Sequence, residues 1–138
     1  MNTGLIILSL MRHTVKIDKE RVKKYLYDIL SNVRDIENLF KDYSSDEIVN
    51  EKHLLKSLKY SLVEISESIS LILQHILAKH YGIPVKGYID TIKKACDAGI
   101  IPQELSSSLK PFFDFRNSLV HRYWIIDDMM LLNNCKNG

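Results

Sequence analysis

The chain has 138 residues, enough to bury roughly two thirds of its unfolded surface around one core, so a single domain is expected. Its 46% hydrophobic and 26% charged residues are typical of a globular protein and argue against disorder or membrane insertion. A net charge of +2 permits a nucleic-acid partner but lacks the strong basic excess of a dedicated non-specific binder. Cys96 and Cys135 match no metal-ligand spacing and are read as free thiols of a reducing cytoplasm. The apolar run Leu5 to Leu10 is too short to span a bilayer and has no basic stretch before it. Residues 1–17 are therefore expected to form an N-terminal extension, residues 18–132 the domain, and residues 133–138 a flexible tail.

Glycine and proline are scarce and strand-type alternation is hard to find, so the fold is expected to be all-α, an up-and-down bundle of four to five helices. A first helix can start at the N-cap Asp18 and run to about Asp42. Val22, Tyr25, Leu26, Ile29, Val33, Ile36, Leu39 and Phe40 mark its buried stripe. Ser44-Ser45-Asp46-Glu47 has the spacing of a capping box and opens a long second helix to about Tyr81, which can begin with a short separate turn. The middle of that helix, from Leu54 to Leu77, is more apolar than one buried face requires, which suggests a second subunit on its other side. A third helix, about Tyr88 to Ala98, is closed by Gly99. Pro102 suits the first turn of a fourth helix, and Pro111 predicts a kink or restart before Phe112. Asp127 can cap a short last helix.

The run Phe115-Arg116-Asn117-Ser118-Leu119-Val120-His121-Arg122-Tyr123-Trp124 sets an arginine, a histidine and a tyrosine in an otherwise apolar segment. A guanidinium offers a fixed charge and a planar fork of donors for phosphate oxygens, and an imidazole exchanges a proton near neutral pH. On a helix advancing about 100° per residue from Arg116, Asn117 lies at about 100°, His121 at about 140° and Tyr123 at about 340°. Phe112, Phe115, Leu119 and Ile126 form the core stripe. Phe113, Val120 and Trp124 fall beside Arg116, an apolar patch that a second copy of the same face would cover. The plainer account is that arginine and histidine near a helix C-terminus serve the terminal carbonyls and the macrodipole. His13, His53, His75 and His80 are assigned to packing or solvation, and no metal site is expected.

The octet Arg116-Asn117-Ser118-Leu119-Val120-His121-Arg122-Tyr123 resembles the R-x-x-x-x-H-x-Y signature of HEPN domains of the HepT type, the toxin halves of MNT–HEPN toxin–antitoxin modules. Tyr60 to Leu77 is similar to the family's long apolar helix, Ala98 to Leu105 to its interhelical turn, and Tyr123 to Asp128 to its closing segment. The resemblance implies a homodimer of helical bundles with a metal-independent endoribonuclease site at the interface. It needs no cofactor, takes RNA as substrate, and is restrained by a nucleotidyltransferase antitoxin that can transfer AMP to the motif tyrosine. Carried over, Arg116 and His121 are the catalytic pair, Tyr123 is the AMPylation site, and Asn117 has a supporting role. The family pattern sets acidic residues about four apart on the long helix. Here Glu64 is present, Ser68 stands one turn later with Glu67 beside it, and Glu64 is assigned a supporting position. The alternative is a non-catalytic HEPN-like adaptor that binds nucleotide or RNA with the same residues.

Overall fold

The computed structural model describes residues 17–121 and 128–137, which form six helices and no strand. They are α1 (Lys19–Asp42), α2 (Ser45–Asn50), α3 (Lys52–His80), α4 (Gly87–Asp97), α5 (Gln103–His121) and α6 (Asp128–Asn137). The all-α expectation holds. α3 is the central element, packing against α1, α2, α4 and α5. It is long and apolar enough to cross a bilayer by length and composition, yet half of its most apolar stretch is buried in the bundle. The chain's own helices thus cover about half of that apolar stretch, and Leu71 of the same helix is exposed.

α1 begins where the Asp18 side chain accepts the Arg21 N–H at 3.1 Å, and α2 opens on a complete capping box between Ser44 and Glu47. The predicted long second helix is divided at Glu51, whose extended backbone ends α2 while its carboxylate caps α3 through the Leu54 N–H. α1 runs antiparallel to α3, tied by the Asp18 N–H donating to His75 Nε2 at 2.9 Å and by Asn32 Nδ2 donating to Glu64 Oε2 at 2.8 Å. The contact face of α1 keeps Val22, Tyr25, Ile29, Ile36, Leu39 and Phe40 of the expected stripe partly buried and departs from it at two positions. Asn32 is buried, whereas Leu26 and Val33, also at three- and four-residue steps from Ile29, are exposed, because the hydrogen bond to Glu64 holds Asn32 against α3.

Two apolar clusters sit at the two ends of α3. Ile48, Leu58, Leu62 and Leu132 form the first, flanked by Ile36, Phe40, Phe112 and Phe115. Leu73, Leu77 and Ala95 form the second, closed by Ile83, Val85, Ile100 and Ile101 from the two interhelical turns. Gly99 makes the second turn possible: at φ +79° it lets the Ile100 N–H return to the Ala95 carbonyl at 2.9 Å.

α5 corrects two expectations. It continues through Pro111 as one helix rather than restarting there. An interior proline costs about 3 kcal/mol, and burial of each large apolar side chain returns roughly 1.5–3 kcal/mol, so anchors on both sides of the proline outweigh it. Those anchors are Phe112 and Phe115 in the first cluster and Phe113, fully buried against α4. Phe113 therefore needs no second copy to cover it. The C-terminal end also differs: residues 133–137, expected to be a flexible tail, belong to α6, where Leu132 is fully buried and Cys135 packs on the first cluster.

Candidate functional site

The site is built where α3, α4 and α5 meet. Arg116 lies one turn beyond Phe112 and Phe113, so the packing that fixes the middle of α5 also fixes where its guanidinium emerges. The side chain is only 15% exposed, too buried for an unpaired charge, and three groups receive it. Glu67 Oε1 of α3 accepts from both Nε, at 3.2 Å, and Nη2, at 2.5 Å. Asn117 Oδ1 accepts from Nη1 at 3.2 Å. Tyr88 of α4 lies beneath, with its ring centroid 4.3 Å from the Arg116 Cζ.

Tyr88 is held in turn. Its ring meets buried Phe113 edge to face at 5.3 Å between centroids. Burial first, and then the hydrogen bond and charge of Glu67, push its phenol above the ordinary tyrosine range, with the Arg116 charge pulling partly back. At cellular pH the phenol is therefore a proton donor rather than an anion.

A guanidinium carries five N–H donors. Three are engaged by Glu67 and Asn117 among the described residues. Oxygen pairs on phosphate match such a planar donor set. Arg116 lines neither of two surface clefts: one of about 420 Å³ between α4 and α5 that includes Lys93, Cys96 and Lys110, and one of about 660 Å³ bounded by Val33, Phe112, Phe115 and Cys135. The Arg116 side chain reaches the surface with 15% of its area exposed.

Of the site residues expected from the sequence, Arg116 and Asn117 are brought together directly. His121 is the last residue of α5, five positions beyond Arg116, which corresponds to about 7.5 Å along the axis. Its side chain, with that of Val120, lies outside the described residues, as do Tyr123 and Trp124 altogether. Glu64 is engaged elsewhere. Its carboxylate accepts from Asn32 and, at 2.9 Å, from the Tyr60 hydroxyl, so it ties α1 to α3, while the carboxylate on Arg116 is Glu67. Glu67 was visible as the acid beside the expected position; the role of Tyr88 was not, because nothing in a sequence announces that an aromatic on one helix underlies an arginine on another. Among the described residues no three His, Cys, Asp or Glu side chains gather as a metal-binding group.

The described helices form an all-α bundle in which Arg116 is held by Glu67, Asn117 and Tyr88 on the helix that ends at His121. Residues 29–138 match the family described as HepT-like ribonucleases, and the chain belongs to that family. It is similar to three proteins of Methanocaldococcus jannaschii. "Putative RNase MJ0125" is 28% identical over 118 residues, 86% of this chain and 81% of its own length. "Putative RNase MJ0127" is 33% identical over 69 residues, 50% of this chain and only 57% of that protein, and "Putative RNase MJ1548" is 29% identical over 83 residues, 60% and 91%. No solved structure matches the chain.

Proposed function

We propose that this chain is a metal-independent endoribonuclease that acts as the toxin of a HEPN/MNT-type toxin–antitoxin pair. The observation that carries the reading is Arg116, a nearly buried guanidinium held by Glu67, Asn117 and Tyr88 on the helix that ends at His121.

RNA supplies its own nucleophile. The 2′-hydroxyl gives its proton to one His121 as the oxygen attacks the adjacent phosphorus. The P–O5′ bond breaks, and the departing 5′-oxygen takes a proton from His121 of the partner subunit, leaving a 2′,3′-cyclic phosphate and a 5′-hydroxyl. Such proton transfer contributes typically 10² to 10⁴ in rate. Arg116 binds the phosphate and stabilises the charge that grows on its non-bridging oxygens. A homodimer would supply the second histidine.

AMPylation of Tyr123 by a nucleotidyltransferase antitoxin would set a bulky anion two residues from His121, competing with the substrate phosphate. The test is cleavage of single-stranded RNA in EDTA with identification of the ends. Cyclic phosphate products that vanish in Arg116→Ala and His121→Ala support the reading, and a strict requirement for divalent metal refutes it. Mass spectrometry of the chain incubated with the nucleotidyltransferase and ATP, beside Tyr123→Phe, tests the modification.

A further inference from the structure

We propose that Tyr88 is a positioning residue of this site: its ring carries the Arg116 guanidinium on one face while Glu67 holds one edge, so that the plane of the guanidinium is fixed before a substrate phosphate arrives. The inference rests on the ribonuclease reading of Arg116 and adds a residue from a different helix to it.

The geometry argues for a holder rather than a core aromatic. An arginine has a long stem with many rotamers, and an electrostatic catalyst works best when it is ordered before the substrate arrives. Here the ordering surface is itself ordered from behind. Phe113, fully buried, meets the Tyr88 ring edge to face. The first turn of α4 is pinned by Thr91 Oγ1 donating to the Gly87 carbonyl at 2.7 Å and by the Lys86 N–H donating to Asp90 Oδ2 at 2.9 Å. Gly87 stands immediately before Tyr88 at φ +82°, a conformation open to glycine at little cost, and sets the direction from which the ring enters. A tyrosine filling space alone would not need its face against a cation.

The test compares Tyr88→Phe, Tyr88→Leu and Glu67→Gln with the unsubstituted protein, using two readouts. The first is kcat and KM on a single-stranded RNA. Loss of a well-shielded cation–π contact predicts that kcat of Tyr88→Leu falls about thirtyfold with KM changed by less than about threefold, while Tyr88→Phe, which keeps the ring, stays within about threefold. The second needs no RNA: the Nε–Hε resonance of Arg116 in ¹⁵N spectra, assigned by its loss in Arg116→Lys. It should be sharp in the unsubstituted protein and in Tyr88→Phe, and broadened in Tyr88→Leu and Glu67→Gln. Glu67 is 41% exposed, so Glu67→Gln leaves the bundle folded and keeps the proposal testable should Tyr88→Leu be unstable. Normal kcat and a sharp resonance in Tyr88→Leu would make Tyr88 a packing residue and overturn the proposal. Full cleavage by Arg116→Ala would overturn it together with the ribonuclease reading, and the spectra separate the two failures.

Discussion

His75 gives the protein a pH-dependent hold on the start of α1. Its Nε2 accepts the Asp18 N–H at 2.9 Å across 57 residues of chain, which requires the neutral imidazole with its proton on Nδ1. Protonation puts a hydrogen on Nε2, facing another donor. Burial first, and then the Arg21 and Lys79 charges, hold this imidazole below its ordinary pKa, with the Asp18 carboxylate pulling the other way. The folded state thus binds fewer protons than the unfolded chain, whose histidine titrates near 6.5, so stability from this group is present above about pH 6.5 and is lost as pH falls toward the folded value. The hydrogen bond is worth on the order of 1 kcal/mol, and leaving the Asp18 N–H without a partner costs about 1–3 kcal/mol. Urea unfolding at pH 7.5 and pH 5.5 measures both effects. His75→Gln, which can keep an acceptor that does not titrate, should lose less stability between the two pH values than the unsubstituted protein. His75→Leu should be weaker by about 1–3 kcal/mol at pH 7.5, with a smaller pH dependence. Comparison among the three proteins, which differ only at residue 75, isolates its contribution. Equal pH dependence in the unsubstituted protein and His75→Gln would refute the reasoning.

Phe113→Ala removes a fully buried ring and should cost about 3–5 kcal/mol by urea unfolding, a loss that Phe113→Leu should largely avoid. Pro111→Ala restores a donor to the interior of α5 and relieves a clash; against the unfolded-chain entropy that proline restricts, a net gain of about 1–2 kcal/mol is expected from the same assay. Asn32→Ala leaves Glu64 Oε2 without its α1 partner and should destabilise by about 1–2 kcal/mol while leaving RNA cleavage unchanged, which would set Glu64 apart from the Arg116 site.

The capping residues were legible because a cap is a local event: Asp18, Ser44 with Glu47, and Gly99 each act within three or four positions of themselves. The Arg116-Asn117 pair was legible for the same reason. What escaped was decided between helices. Leu26 and Asn32 both lie at helical spacing from Ile29, and only the fit of α1 against Glu64 chooses the polar one for the interior. Pro111 was read by its local cost, but Phe112, Phe113 and Phe115 meet partners far away in sequence that keep the helix whole. The choice between Glu64 and Glu67 is one of helix rotation: three residues apart, one faces α1 and the other α5.

The energetics of the Arg116–Glu67 pair also indicate what the pair is for. Glu67 is 41% exposed, and an ion pair with one partner in water contributes at most about 1 kcal/mol to stability. A carboxylate that takes both donors of one guanidinium edge on a single oxygen does, however, fix the plane of that group, and Tyr88 fixes the same plane from its face. An arriving phosphate brings negative charge toward Glu67, and that repulsion is screened by the solvent that the half-exposed carboxylate retains. On the proposed ribonuclease reading, the arrangement trades some phosphate affinity for a guanidinium ordered before substrate arrives, which would favour the transition state over the bound substrate. For a ribonuclease that must release its products, weak ground-state binding with an ordered arginine is the more useful combination.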